Sequence, residues 1–220
     1  MMKNKKKTQI FIGIAGAMLM FFLWKMAGAF LPDHIPPVLA KVLNIIAAWS
    51  MALPPLLVLI AAGAKGDDFG LSRRNLPRQI LLGIGIGLAM AAVLTLLPML
   101  LMGKGALYNG AEYQTPLQAI GGLLYFVFVI GLSEEFIFRI FLYGRLDNIC
   151  ISDGMPIFLS SALFGFLHLS GLNLIGILIP GLIGAFFCLC RKNISDCTLL
   201  TLAVAHGIHD WMIRLLASLL

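Results

Sequence analysis

Seven apolar stretches, separated by short polar segments, follow one another along the 220-residue chain. A helix rises about 1.5 Å per residue, so about 20 apolar residues cross the hydrocarbon core of a bilayer. The pattern therefore predicts an all-α fold, a multi-pass transmembrane helical bundle of about seven helices, two of them short. The first stretch ends near residue 31, and the others cover 38–62, 79–102, 118–143, 156–170, 173–190 and 198–219.

Prolines and glycines inside two of these stretches predict local departures from a plain helix. Pro54 and Pro55 predict a kink or a break in the second stretch, because proline cannot donate a helical hydrogen bond. Gly83 and Gly87 form a small-xxx-small pair in the third stretch, which permits close approach of another helix. The glycine run at 83–87 follows no strand and lacks the dinucleotide-binding spacing, so we do not interpret it as a phosphate loop.

The basic residues predict the orientation in the membrane. If all seven stretches cross, the basic loops lie on one side, which the positive-inside rule makes cytoplasmic. This places the N-terminus in the cytoplasm and the C-terminus outside. The first stretch is longer than the apolar part of a signal peptide, so we interpret it as a helix that stays in the membrane. The residues concerned are Lys3, Lys5, Lys6, Lys7, Lys65, Arg73, Arg74, Arg78, Arg145, Arg191 and Lys192.

The composition excludes several classes of protein. Hydrophobic residues make up 60% of the chain and charged residues 12%, whereas soluble domains have about 45–50% and about 25%. A soluble enzyme, a disordered tail and a disulfide scaffold are therefore excluded, and the lipid bilayer is the first partner. The net charge of +6 lies in loop clusters and not along one face, so we predict no nucleic-acid partner. The four cysteines form no CxxC pair and are interpreted as small apolar residues.

A few ionisable residues interrupt the apolar stretches and are the candidates for chemistry. A charge at bilayer depth costs about 2.5–3.5 kcal/mol on insertion scales, so such residues usually serve a function. The alternative is structural, since buried polar pairs also join helices. Concentration in only three stretches favours a site. The residues are Glu134, Glu135, Arg139, His168, His206, His209 and Asp210.

The predicted orientation places these residues at similar depths. Counted from the cytoplasmic helix ends, Glu134 lies roughly 15 Å deep, His168 roughly 18 Å, His206 roughly 12 Å and Asp210 roughly 18 Å. The orientation rests on lysine and arginine alone, yet the candidate residues fall in one layer. We therefore predict one pocket that is reached from the cytoplasm.

Spacing within the fourth stretch separates the roles of its two carboxylates. Glu135 and Arg139 are four residues apart, so they share a helix face and can pair. Glu134 lies about 100° around the helix from Glu135. Pairing of Glu135 leaves Glu134 in an apolar site, where it is a candidate general base.

The histidines suit two kinds of chemistry. His206 and Asp210 are four residues apart on one face, and His168 comes from another helix. Two imidazoles and a carboxylate suit either metal binding or water activation with oxyanion stabilisation. His209 is either a spare ligand or a packed or interfacial histidine, and we favour the second interpretation.

Three short motifs carry a resemblance to a known family. Residues 134–139 read EEFIFR, residues 164–168 read FGFLH and residues 206–210 read HGIHD. They resemble, in this order, the EExxxR, FxxxH and HxxxN/D motifs of the CAAX-protease and bacteriocin-processing family of intramembrane proteases. The resemblance covers roughly residues 115–219. It divides the chain into 1–114, with helices 1–3 and a cytoplasmic loop, and 115–220, with the catalytic helices.

The resemblance implies an all-helical membrane core with an intramembrane catalytic cavity open to the cytoplasm. Glu134 is then the base that activates water. His168 and His206 are its partners, which position the water or a metal and stabilise the oxyanion. The implied cofactor is either one divalent metal such as zinc or none. The implied metal ligands are Glu134, His168, His206 and Asp210.

The resemblance also implies supporting residues. Glu135 and Arg139 support the site, and Asp210 stands where eukaryotic members have Asn. An Asp can bind a metal as an anion, whereas an Asn is the better neutral oxyanion donor. Asn173 lies either at the pocket rim or at the start of the sixth helix as its cap, and we favour the cap.

The substrate class follows from the family alone. Eukaryotic members remove the last three residues of prenylated CAAX proteins, and this chain resembles the bacterial branch, which is linked to bacteriocin immunity, peptide maturation or surface-protein regulation. The predicted protein is an intramembrane endopeptidase of a bacterial plasma membrane. Its predicted substrate is a membrane-bound peptide or protein, either lipidated or not, such as a CAAX-like or bacteriocin precursor. One alternative is a non-catalytic scaffold or bacteriocin-immunity partner. Another is a proton-coupled transporter, against which the lack of an internal repeat argues.

Overall fold

Seven helices make up the fold of the computed structural model, which describes residues 2–31, 35–103, 112–169 and 174–219. The predicted all-α class is confirmed, because these residues contain no strand. Every predicted stretch is a helix, and the bounds agree to within four residues. The helices are α1 (Met2–Ala29), α2 (Pro37–Ala61), α3 (Leu76–Met102), α4 (Pro116–Asp147), α5 (Gly154–Leu167), α6 (Leu174–Asn193) and α7 (Leu199–Leu219).

Five of the seven helices are long and apolar enough to cross a membrane, namely α1, α2, α3, α4 and α6. The chain is therefore an integral membrane protein. Helix α5 is apolar but has only 14 residues. Helix α7 has 21 residues but is not one of the five, and His206, His209 and Asp210 lower its mean hydropathy. Five helices are thus candidate spans by length and composition, and the predicted crossing of the bilayer by all seven stays a prediction.

Helix α2 is not broken at its two prolines. The helix continues through Pro54 and Pro55 to Ala61. Helix α1 packs closely beside this point, because a Cβ atom on Gly16 would lie only 2.6 Å from the Pro54 Cβ. The missing side chain at Gly16 therefore makes room for the proline ring.

Helix α4 contains two π-helical segments that the sequence pattern does not indicate. They cover Phe126–Gly131 and Phe136–Tyr143, and the single α-helical turn Leu132–Glu135 lies between them. A π segment widens the helix and is frequently found at functional sites. The two glutamates of the EExxxR motif lie in this single turn.

The chain forms two compact units, each built from two stretches of sequence. The first unit consists of Met1–Leu71 and Ser133–Ser195, and the second of Ser72–Leu132 and Asp196–Leu220. Their boundary falls inside α4. The predicted division at residue 114 concerns where the motifs lie along the chain, and it stays a prediction.

In the second unit, glycines hold α7 close to its neighbours. A Cβ on Gly83 would lie 2.6 Å from the Thr201 carbonyl oxygen, and one on Gly87 would lie 2.7 Å from that of Ala205. Both distances are below any van der Waals contact, so only glycine permits this backbone approach. The close packing predicted from the small-xxx-small pair is confirmed. On α7 itself, a Cβ on Gly207 would lie 2.5 Å from the Val127 Cα of α4.

Substitution of these glycines gives a test of the packing. Gly87→Ala is expected to destabilise the protein by about 1–3 kcal/mol, because the added methyl group overlaps the backbone of α7. Gly85→Ala is the matched control, since a Cβ at Gly85 meets nothing within 4 Å and alanine favours a helix. Thermal unfolding in detergent measures both. Equal stability of the two variants would contradict the packing described.

Polar contacts fix the start of α7 in the same unit. The buried Gln79 side chain accepts a hydrogen bond of 2.6 Å from Thr198 Oγ1 and donates one of 3.1 Å to the Ser72 carbonyl. Thr201 Oγ1 donates to the Asp196 carbonyl over 2.8 Å. Buried polar groups need such partners, so this network specifies where α7 begins relative to α3.

Candidate functional site

A fully buried ion pair lies at the centre of the EExxxR segment. Arg139 Nε is 3.2 Å from Glu135 Oε2, and both side chains are 0% exposed. The pair predicted from the spacing of four residues is therefore present. A buried charge is tolerated only with a close opposite charge, so each of these residues requires the other.

Three phenylalanine rings surround the guanidinium group of Arg139. Its central carbon lies 4.1 Å from the ring centroid of Phe164, 5.5 Å from that of Phe187 and 5.9 Å from that of Phe138. Aromatic faces attract cations, most strongly where water is excluded. Gly184 makes room for this arrangement, because a Cβ there would lie 3.0 Å from Arg139 Nη2. We call Phe138, Phe164 and Phe187 the aromatic cage.

The same Phe164 positions His168. The two residues are four apart at the end of α5, their ring centroids are 4.6 Å apart, and His168 Nδ1 lies 2.9 Å from the Phe164 carbonyl oxygen. A carbonyl oxygen only accepts, so Nδ1 carries the proton and Nε2 of the neutral ring holds the lone pair. The His168 side chain is exposed. Within the first unit, Phe164 therefore contacts both Arg139 of the EExxxR motif and His168 of its own FxxxH motif.

Glu134 differs from its neighbour in exposure. Glu135 is fully buried, whereas Glu134 is partly exposed, although its Oε2 atom is buried. The preceding Ser133 is also buried. Of the two carboxylates, Glu134 is therefore the more accessible.

In the second unit, one carboxylate contacts two histidines of α7. Asp210 Oδ2 lies 3.3 Å from His206 Nε2, and Asp210 Oδ1 lies 3.1 Å from His209 Nδ1. Both histidines are buried, and the Asp210 side chain is 27% exposed. The predicted His206–Asp210 pair is present. His209 is buried as expected for a packed histidine, but it is also a second partner of Asp210.

The residues do not assemble a metal site within either unit. In the described part of each unit, no group of three or more His, Cys, Asp or Glu side chains is arranged to hold a metal ion. The two oxygens of Asp210 instead contact different imidazoles. We therefore derive no chemical step through a metal. The implied ligand set of Glu134, His168, His206 and Asp210 draws on both units and stays a prediction.

Several residues around the site have no counterpart among the predicted site residues. Phe164 is the first residue of the FxxxH motif, so the sequence could have indicated it. The motifs assign no role to Phe138, Phe187 or Gly184. Ser160 is fully buried, and its hydroxyl donates to the Phe138 carbonyl over 2.8 Å, which fixes α5 against α4. The predicted Asn173 lies outside the described residues.

The fold and these groups define a class of protein. It is an all-helical integral membrane protein with a partly exposed carboxylate next to a buried ion pair in the first unit and with buried histidines paired to a carboxylate in the second. Carboxylates and histidines are the side chains that hydrolases use for acid–base chemistry. Residues 116–212 match the family model for the type II CAAX prenyl endopeptidase Rce1-like family. This segment contains all three motifs, and the predicted resemblance to the CAAX-protease and bacteriocin-processing family is confirmed. At the level of the family, the match of this segment supports a CAAX-type intramembrane protease. No curated protein and no solved structure matches it.

Proposed function

We propose that the protein is an intramembrane endopeptidase that hydrolyses a peptide bond with water activated by Glu134. One observation supports this most strongly. Glu135 is fully buried in a pair with Arg139 at 3.2 Å, whereas the adjacent Glu134 is partly exposed, so of the two carboxylates Glu134 is the one that a substrate and a water molecule can approach. A general base must lie within hydrogen-bond reach of the water molecule from which it takes a proton.

In the proposed reaction, protons pass only between water, Glu134 and the leaving amine. Glu134 takes a proton from water while the water oxygen attacks the scissile carbonyl carbon, and a tetrahedral oxyanion forms. When the C–N bond breaks, the protonated Glu134 gives its proton to the leaving amine. Stabilisation of the oxyanion by preorganised donors is usually the largest single contribution to such a reaction.

The histidines are assigned the supporting roles. His168 exposes Nε2 because Nδ1 donates to the Phe164 carbonyl, and a free lone pair can orient the attacking water. His206 is held by Asp210 over 3.3 Å, and we assign to it the stabilisation of the oxyanion. Asp210 fixes the imidazole orientation, as carboxylates commonly do for catalytic histidines.

The proposed substrate is a membrane-bound peptide or protein that enters from the cytoplasmic side. The basic loops support a cytoplasmic N-terminus and an outer C-terminus in a bacterial plasma membrane. The family match supports a prenylated CAAX-like substrate, and a bacteriocin or other peptide precursor is the alternative substrate. Glu135 and Arg139 then act as supporting residues that hold the shape of the site.

A cleavage assay with the full-length protein in nanodiscs tests the proposal. The substrates are a peptide with a prenylated C-terminal CAAX sequence and the same peptide without the prenyl group. Mass spectrometry is expected to show cleavage of the lipidated peptide. Metal analysis and treatment with a chelator distinguish water activated by Glu134 alone from metal-bound water. A protein that cleaves neither peptide but accumulates solute in proteoliposomes under a pH gradient would contradict the proposal.

A further inference from the structure

A groove separate from the motif residues lies between α1 and the end of α4 in the first unit. Its volume is about 450 Å³, it is open along one side, and apolar side chains form nearly all of its surface. Ligand sites in proteins typically measure about 300–1,000 Å³. The lining residues used below are Lys7, Ile10, Phe11, Ala15, Leu142 and Leu146.

The two walls of the groove are joined at two points along α1. Arg145 Nη1 donates a hydrogen bond of 2.6 Å to Gln9 Oε1. Further along α1, Gly13 contacts the ring of Phe141, and there is no space for a Cβ between them. These contacts tie α1 to α4, so the groove is a formed feature of the unit and not a gap between unattached helices.

One basic residue, Lys7, lines the groove, and Lys6 and Arg145 are partly exposed close by in sequence. Segments 1–15 and 142–149 contain five basic residues and one acidic residue, Asp147. A second copy of the same surface would be repelled by this charge, whereas an anionic group is attracted. The five basic residues are Lys3, Lys5, Lys6, Lys7 and Arg145.

The apolar lining disfavours binding of a peptide in the groove. A peptide backbone carries N–H and C=O groups that need partners when water is excluded. Phe11, Ala15, Leu142 and Leu146 offer none through their side chains. A hydrocarbon chain has no such groups to satisfy, and lipids reach an open groove on a membrane protein from the surrounding bilayer.

We propose that this groove binds an anionic phospholipid, with one acyl chain between α1 and α4 and the phosphate at Lys7. The chemistry combines an apolar slot with a cluster of lysines, which together recognise an anionic lipid. Neither Glu134 nor His168 lines the groove, so lipid binding does not depend on the proposed function.

Native mass spectrometry of the full-length protein, released from detergent with phosphatidylglycerol or phosphatidylcholine, tests this. The protein is expected to retain phosphatidylglycerol in clear excess over phosphatidylcholine. Lys7→Gln is expected to lower retention of phosphatidylglycerol about fivefold, since one basic residue near an anionic lipid contributes about that factor. Retention of phosphatidylcholine should not change.

A filled groove gives the second test. Ala15→Trp places an indole in the slot and is expected to abolish retention of phosphatidylglycerol. Ile12→Trp is the matched control, because Ile12 is an exposed residue of the same helix and does not line the groove. Unfolding temperatures confirm that both variants fold.

Three results would overturn the proposal. They are equal retention of the two lipids by the unaltered protein, unchanged retention in Ala15→Trp, and displacement of lipid by a prenylated peptide together with no effect of Lys7→Gln. The last result would make the groove a substrate site. Because retention requires no turnover, Glu134→Gln is expected to bind lipid like the unaltered protein, which separates this proposal from the proposed activity.

Discussion

Glu134→Gln is expected to abolish peptide cleavage while the protein remains folded and inserted in the membrane. Glutamine has nearly the same size as glutamate but cannot accept a proton from water. A general base contributes about 10²–10⁴-fold to a reaction, so cleavage of the lipidated peptide in nanodiscs should fall at least about 100-fold. Glu134 is partly exposed, and its replacement should therefore change the unfolding temperature little.

A second carboxylate on the same helix provides the control for Glu134. Asp147 lies at the exposed end of α4, beyond the motif, and Asp147→Asn makes the same chemical change there. We expect this variant to cleave the peptide at the rate of the unaltered protein. Full activity of Glu134→Gln, measured beside a well-folded sample, would refute the assignment of Glu134 as the base.

Glu135→Gln is expected to act on stability, lowering the free energy of unfolding by about 3–5 kcal/mol. The substitution leaves the guanidinium group of Arg139 buried without a compensating charge, and both side chains are 0% exposed. The aromatic cage attracts the cation but does not neutralise it. Chemical or thermal denaturation in detergent, followed by circular dichroism, measures the loss.

Two further variants establish that the buried charge causes this loss. The double variant Glu135→Leu, Arg139→Met removes both charges, and apolar replacement of a buried ion pair is often neutral or stabilising. We therefore expect it to recover most of the stability that Glu135→Gln loses. Arg139→Lys should not be tolerated well, because an ammonium group lacks the planar face that stacks on Phe164.

A surface ion pair on neighbouring helices provides the matched control for the buried one. Lys192 Nζ lies 2.7 Å from Asp153 Oδ2, and the Asp153 side chain is 87% exposed. Lys192 lowers the pKa of Asp153 by a hydrogen bond and by its charge. Asp153→Asn is nevertheless expected to leave the stability almost unchanged, since water screens exposed pairs. If Glu135→Gln proves no less stable than Asp153→Asn, the buried Glu135–Arg139 ion pair does not contribute to stability as we expect.

Much of the fold could be predicted because the relevant signals are local. A run of apolar residues decides membrane insertion, and its length decides where a helix begins and ends. The pairs Glu135–Arg139 and His206–Asp210 are equally local, because a spacing of four residues brings two side chains together on any helix. Gly83 and Gly87 likewise indicated a face for close packing, although not the helix that occupies it.

The features that were not predicted or that stay open depend on less local effects. Helix α2 continues through Pro54 and Pro55, so it is not broken there, and the predicted kink stays a prediction. The two π segments around Glu134 were not predicted, because the hydrophobic pattern of α4 is compatible with an ordinary α-helix. Helix α7 is not among the five candidate spans that length and composition select, and its predicted crossing of the bilayer stays a prediction.

The sequence by itself determined that this protein lies in a membrane, that it is built from seven helices, and which ionisable residues pair within one helix. These properties depend on hydropathy and on helical periodicity, both of which are readable over a few neighbouring residues. Only the tertiary structure decided that Phe164 and Phe187 enclose Arg139, that glycines of α3 admit the backbone of α7, and that α1 and α4 enclose an apolar groove. Each of these joins residues far apart in the chain, and their contact depends on how helix surfaces fit together, which residue spacing does not encode.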